Sequence, residues 1–126
     1  MPGEQTISFK EMCARFDVTP RTLRYYEYIE LLSPLKEGRS RFYTPREIAR
    51  MTLILRGRRF GFSLEDIRQW LLIYEQKGSR EQYEVWLDLA DRQLKVLDGQ
   101  IAELTAARAD LEALRETAAQ ELRKMG

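Results

Sequence analysis

The last third of the chain restricts the fold more than any other segment. From about residue 81 to residue 124 there is no proline, and Gly99 is the one glycine. From Leu87 to Leu104, leucine, isoleucine and alanine recur at alternating spacings of three and four residues, which is the seam of a coiled coil. Arg108 falls where the next apolar residue is due, and a shifted apolar stripe continues the seam at Ala107, Leu111, Leu114 and Ala118. The pattern predicts one long helix that self-associates, because an apolar seam of this length would otherwise stay exposed. The residues expected to form the homodimer are Leu87, Leu94, Leu97, Ile101, Leu104 and Leu111.

Charge changes sign near the start of this segment. Residues 1–80 carry 15 Lys and Arg against 10 Asp and Glu, a net charge of +5, whereas residues 81–126 carry a net charge of −4. A basic part followed by an acidic part is expected when only the basic part meets a polyanion. We therefore predict two domains, a basic head at residues 1–78 and a dimerisation helix at residues 79–126.

Composition narrows the classes of function. The chain has no histidine, and Cys13 is its only cysteine, which excludes an internal disulfide. Histidine is the commonest general base and metal ligand, so we expect no enzyme, no metal site and no cofactor. No apolar run approaches the roughly 20 residues of a membrane span, and the N-terminus lacks the pattern of a signal peptide. We expect a cytoplasmic protein without a membrane partner.

Two short helices at the N-terminus are predicted from their capping residues. Ser8 and Glu11 form the pattern of a capping box ahead of an apolar stripe that includes Cys13. Thr19 and Pro20 supply an N-cap and a first-turn proline for a second helix, which is expected to end near residue 29. Two short helices joined by a tight turn indicate a helix-turn-helix.

The segment after the second helix has a different period. Arg39, Arg41 and Tyr43 would share one face of a period-two segment, which predicts a small β-hairpin, or wing. Thr44 and Ser63 then cap two further helices, the first with Ile48, Met51 and Leu55 expected to face inward. The predicted fold class is mainly α, with a winged helix-turn-helix head followed by a long C-terminal coiled-coil helix.

The second helix has the side chains that read DNA. Only Leu23, with parts of Tyr26 and Ile29, is needed for a core, and the other residues from 19 to 27 are mostly polar or basic. Arginine can pair with guanine, a threonine methyl can contact thymine, and tyrosine can bond a phosphate oxygen. The alternative interpretation is an ordinary solvated helix face. The arginines of the wing and of the end of the next helix would add phosphate contacts.

Four ordered motifs resemble the MerR family of regulators. They are VTPRTLRYYE at 18–27, LLSP at 31–34, RFY at 41–43 and GFSLEDI at 61–67. The resemblance implies a homodimer on an antiparallel coiled coil. It also implies a near-palindromic promoter operator whose spacer DNA is distorted for RNA polymerase. The residues then expected to contact DNA are Thr19, Arg21, Thr22, Arg24, Tyr25, Tyr26, Arg39, Arg41, Tyr43, Arg58 and Arg59.

An effector is harder to predict from the sequence. Metal-sensing members of the family carry cysteines at the start of the dimer helix, and this chain has none there. A small organic effector could bind among Trp70, Tyr74, Tyr83 and Trp86, although aromatic residues at helical spacing are more often packing. Two other functions stay open, namely an architectural DNA-binding protein without an effector and a coiled-coil adaptor that binds other proteins.

Overall fold

A computed structural model describes residues 5–126 of the chain. It is mainly helical, with a three-stranded antiparallel sheet near the N-terminus and a 45-residue C-terminal helix. The predicted fold class is confirmed. The elements in chain order are β1 Ile7–Ser8, α1 Phe9–Phe16, α2 Pro20–Tyr28, β2 Leu35–Glu37, β3 Ser40–Tyr43, α3 Pro45–Phe60, α4 Leu64–Gln76 and α5 Arg80–Lys124.

The helix-turn-helix begins and ends at the predicted caps. The Ser8 hydroxyl accepts from the Glu11 amide at 3.1 Å, and the Glu11 side chain accepts from the Ser8 amide, which completes the capping box. Asp17 ends α1 in the left-handed region at φ 52°. The Thr19 hydroxyl then accepts from the Thr22 amide at 3.1 Å and starts α2.

The wing contains one strand more than the sequence predicted. The strand order is β1-β3-β2, and β1 pairs Ile7 with Tyr43 in antiparallel register. β2 and β3 form the expected hairpin, whose turn contains Gly38 at φ 59°. Arg39 lies in this turn and not on a strand, so the prediction that it shares a strand face with Arg41 is wrong.

The head is built around α3. This helix packs against α1, α4 and β3, so it is buried on more than one side. Met51 is buried as predicted, whereas Leu55 is only half-buried and Ile54 is fully buried. Glu47 is the third residue after the N-cap Thr44, the position at which a glutamate can close a capping box. Its carboxylate instead accepts from the Ser33 amide at 2.6 Å.

The long helix differs from the head in its burial. The chain forms two compact units, one that ends at Tyr83 and one that consists of Glu84–Gly126. The division between them falls within α5. In the single protomer no residue of α5 is buried. Across residues 5–126, no helix has both the length and the apolar character needed to cross a membrane.

Candidate nucleic-acid interface

Helix α2 has two chemically distinct faces. Leu23 and Tyr26 are buried in the head, which leaves the opposite face largely exposed to solvent. Arg21, Arg24 and Tyr25 are exposed on that face. The division follows from the 3.6-residue period, because residues three and four apart lie on the same side of a helix.

An open groove of about 580 Å³ runs along the basic side of α2. Five of its lining residues come from the predicted contact set of this helix, and Arg58 joins them from α3. The structure therefore brings together cations from two helices that are far apart in the sequence. The predicted residues in the groove are Arg21, Thr22, Arg24, Tyr25, Tyr26 and Arg58.

Tyr28 is a groove residue that sequence reasoning missed. Its side chain is 83% exposed, the largest exposure of any large hydrophobic residue described. It lines the groove with Arg21 and Arg24, and it follows them at spacings of seven and four residues. That spacing was the signal that could have identified it, since i, i+3 or i+4, and i+7 share one helix face.

Two predicted contact residues have structural partners that define their geometry. The Thr19 hydroxyl donates to the Thr22 hydroxyl at 3.0 Å while it caps α2. The Arg58 guanidinium donates to the Phe62 carbonyl at 3.1 Å, which holds it at the C-terminal end of α3. Arg59, the next residue, is exposed.

The wing contributes a second group of cations. A pocket of about 260 Å³ beside the hairpin is lined by Arg24, Arg39 and Arg41, together with Lys10 and Ser40. Arg24 therefore lines both the groove and the wing pocket. Four cationic side chains around one small pocket have the charge that would attract a phosphate group, although Arg41 is already paired with Glu27.

Tyr43 is placed differently from its predicted role as a DNA contact. Its side chain is fully buried, and its hydroxyl donates to the Glu27 carboxylate. Burial raises the pKa of Tyr43, and the hydrogen bond to Glu27 raises it further. A ring without solvent exposure cannot reach a DNA surface, so Tyr43 supports the wing from inside the head.

The residues of the predicted effector site fall in both units of the chain. Trp70 lies beside Phe60, with 6.3 Å between ring centroids, and beside Tyr74 at 6.4 Å. The Tyr74 and Tyr83 side chains are 65% and 43% exposed. Trp86 belongs to the unit that begins at Glu84. The effector pocket stays a prediction.

The only cysteine of the chain lies in a position that disfavours its thiolate form. Cys13 is half-buried, and this burial raises the pKa of its thiol, so the nucleophilic and metal-binding thiolate is disfavoured. Among residues 5–126 there is no cluster of Cys, Asp or Glu that could hold a metal ion.

Comparison with known proteins gives a consistent set of similarities. The profile described as "MerR HTH family regulatory protein" matches residues 7–72, and the profile described as "MerR, DNA binding" matches residues 48–114. The transcriptional regulator HmrR of Rhizobium leguminosarum bv. viciae is 37% identical over 105 residues, which cover 82% of this chain and 80% of HmrR. The regulator ZntR of Escherichia coli K12 is 31% identical over 117 residues, covering 84% and 76%. A MerR-family regulator from Bacillus cereus has a similar structure, with a TM-score of 0.68, 29% identity and coverage of 85% and 78%.

Proposed function

Because this chain belongs to the MerR family of DNA-binding transcriptional regulators, we propose that it binds a near-palindromic promoter operator as a homodimer and distorts the spacer DNA. The family is one of regulators and not of enzymes. The single observation that carries the proposal is the groove of about 580 Å³ in which Arg21, Arg24 and Arg58 converge. We place the protein in the cytoplasm, with its promoter.

Helix α2 is the proposed reader of the major groove. Its exposed arginines can pair with guanine O6 and N7, and Thr22 can contact a thymine methyl. Tyr25 and Tyr28 are 49% and 83% exposed and can bond phosphate oxygens. Arg24 is expected to contribute most, since it lines both the groove and the wing pocket, and Tyr25 follows it on the exposed face.

The wing and the end of α3 are the proposed backbone contacts. Arg39 and Arg41 are placed by the hairpin, and Arg58 and Arg59 by the C-terminal turn of α3. Positioned cations of this kind bind phosphates without reading sequence, so they fix the register of the head on the duplex. Replacing any one of these arginines by alanine is expected to reduce the slope of log affinity against log salt concentration by about one.

A second copy of the chain is the proposed partner of α5. At about 1.5 Å per residue, its 45 residues form a helix about 67 Å long. Its seam is apolar and exposed, with Leu87 55%, Ile101 62% and Leu104 70% accessible in the single protomer. An antiparallel coiled coil would cover this seam and hold two heads at a fixed separation.

Two heads on a stiff arm would distort the DNA between their half-sites. Smooth bending of a 20–30 bp site costs on the order of 1–6 kcal/mol, which many phosphate contacts can offset. The distorted promoter is then presented to RNA polymerase. A small organic effector bound beside Trp70 and Tyr74 of the head, whose ring centroids lie 6.4 Å apart, would change how strongly the dimer distorts the spacer.

The test is a selection of random duplexes by the purified full-length protein, with the mass of the bound complex measured in the same experiment. A near-palindromic consensus bound by two chains is the expected result. Sequence-independent binding would instead favour an architectural protein. An absence of DNA binding, with partner proteins still captured after Arg24→Ala and Arg41→Ala, would favour a coiled-coil adaptor.

A further inference from the structure

We propose that Phe9 is a positioning residue for DNA recognition, because its ring holds an arginine of the recognition helix and an arginine of the wing at the same time. This inference rests on the DNA-binding function proposed above. Phe9 belongs to α1, outside the predicted DNA-contact residues, and it acts through Arg24 and Arg41.

The geometry is that of a double cation–π contact. The Arg24 Cζ lies 5.5 Å from the centroid of the Phe9 ring, and the Arg41 Cζ lies 5.8 Å from it. Both distances fall within the roughly 6 Å over which a ring quadrupole attracts a guanidinium. Arg24 belongs to α2 and Arg41 to β3, so one ring connects the two DNA-binding elements.

Phe9 is itself held in place by the wing. It directly follows β1, whose Ser8 pairs with Phe42 of β3, and it is the first residue of α1. The Ser8–Glu11 capping box fixes the backbone at this point. The backbone of Phe9 is therefore anchored to the same strand that carries Arg41.

Arg41 has a second anchor on the recognition helix. Its Nε lies 3.0 Å from a Glu27 carboxylate oxygen, and the Glu27 side chain is only 11% exposed. The ring and the carboxylate together offset the repulsion between two guanidinium groups held close to one another. They also leave both cations beside the wing pocket of about 260 Å³.

The expected consequence is preorganisation. An unrestrained arginine loses rotamer freedom when it binds a base or a phosphate, and this loss weakens binding. Phe9 restricts Arg24 and Arg41 before DNA arrives, so less freedom is lost on binding. It also fixes the distance between the major-groove contact and the wing contact, which sets their register on the duplex.

The test compares Phe9→Leu, Phe9→Tyr and Phe9→Trp in the full-length protein, using the duplex obtained from the selection experiment. Phe9→Leu is expected to weaken binding about 5- to 30-fold, because Arg24 and Arg41 would then lose their rotamer freedom only when they bind DNA. Phe9→Tyr and Phe9→Trp are expected to retain affinity, because they keep an aromatic face. The slope of log K against log salt is expected to stay unchanged, since no cation is removed.

Phe16→Leu is the matched control, because Phe16 is also a half-buried phenylalanine of α1. The substitution removes the same ring volume, but Phe16 has no arginine over its ring within the described part of the chain. Double-mutant cycles of Phe9→Leu with Arg24→Ala and with Arg41→Ala complete the experiment. We expect Phe9→Leu to cost much less once its arginine partner is gone. Additive costs in both cycles would overturn the proposal.

A second measurement needs no variant. In the NMR spectrum of the natural protein, the δ-methylene protons of Arg24 and Arg41 are expected to show NOEs to the Phe9 ring and upfield ring-current shifts. Their absence would also overturn the proposal. If the natural protein selects a duplex and Phe9→Leu binds it equally well, only this inference fails. If the natural protein binds no duplex at all, the proposed function fails.

Discussion

Glu27 of α2 and Arg41 of the wing form an ion pair, with 3.0 Å between the Arg41 Nε and a carboxylate oxygen of Glu27. The other carboxylate oxygen accepts a hydrogen bond from the hydroxyl of Tyr43, which is fully buried. The wing strand β3 is therefore joined to α2 through one carboxylate, by an ion pair at Arg41 and by a hydrogen bond at Tyr43. This connection makes the position of the wing dependent on the recognition helix.

The buried Tyr43 hydroxyl gives a prediction about alkaline pH. Desolvation and the Glu27 hydrogen bond raise the pKa of Tyr43, whereas a tyrosine in the unfolded chain titrates near pH 10. Above about pH 10 the unfolded state thus loses a proton that the folded state keeps, and the free energy of unfolding falls as pH rises. Urea titrations between about pH 9 and 11 measure how steeply the free energy of unfolding falls with pH. Tyr43→Phe cannot lose this proton, so its free energy of unfolding should fall less steeply than that of the natural protein. Identical pH slopes for the two proteins would contradict the assignment.

Removal of the Arg24 side chain should weaken binding to the operator more than binding to unrelated DNA. Arg24→Ala is expected to weaken operator binding by about 1–3 kcal/mol, the value of one good base contact. Fluorescence anisotropy with the selected duplex and with a scrambled duplex measures both affinities. Arg92→Ala on α5, an exposed arginine paired with Asp88, is the control for loss of one positive charge. An equal loss on both duplexes would make Arg24 a phosphate contact.

The helices of the head were predictable because capping is local. The Ser8, Thr19, Thr44 and Ser63 hydroxyls each accept from a backbone amide three residues later, so a short window of sequence contains the whole signal. Strand β1 gave no such signal, since it has two residues and pairs with β3, 36 positions away between Ile7 and Tyr43.

The site was predictable to the extent that it lies on one helix. The two faces of α2 follow from residue type and period, so the exposure of Arg21 and Arg24 could be predicted, while their contact with DNA stays a prediction. The roles of Phe9, Tyr43 and Glu47 depend on partners far along the chain, such as Ser33, whose amide donates to Glu47 from 14 residues away. No local pattern contains such a contact.

Two glycines in helices should respond in opposite ways to alanine. A Cβ on Gly57 would lie 2.6 Å from the Cγ1 of Ile67 in α4, so Gly57→Ala is expected to lower the free energy of unfolding by about 1–3 kcal/mol through overpacking. A Cβ on Gly99 would meet no atom within 4 Å in the single protomer, so Gly99→Ala should raise it by up to about 1 kcal/mol. Thermal unfolding at one fixed protein concentration measures both changes, because the stability of a dimer depends on concentration. A stabilised Gly57→Ala variant would show that α3 and α4 are farther apart than described.

The proposed dimer depends on the apolar seam of α5. Leu97→Asp would place a charge without a partner inside a coiled coil, a change that costs about 3–5 kcal/mol when a buried charge is left uncompensated. We expect the variant to be monomeric at micromolar concentration by sedimentation velocity and to lose operator binding. Ala106→Asp is the matched control, because it puts the same charge on the same helix nine residues later, away from the heptad positions of Leu97 and Leu104. If Leu97→Asp stayed dimeric, or if Ala106→Asp dissociated equally, the two chains would not associate through the predicted seam.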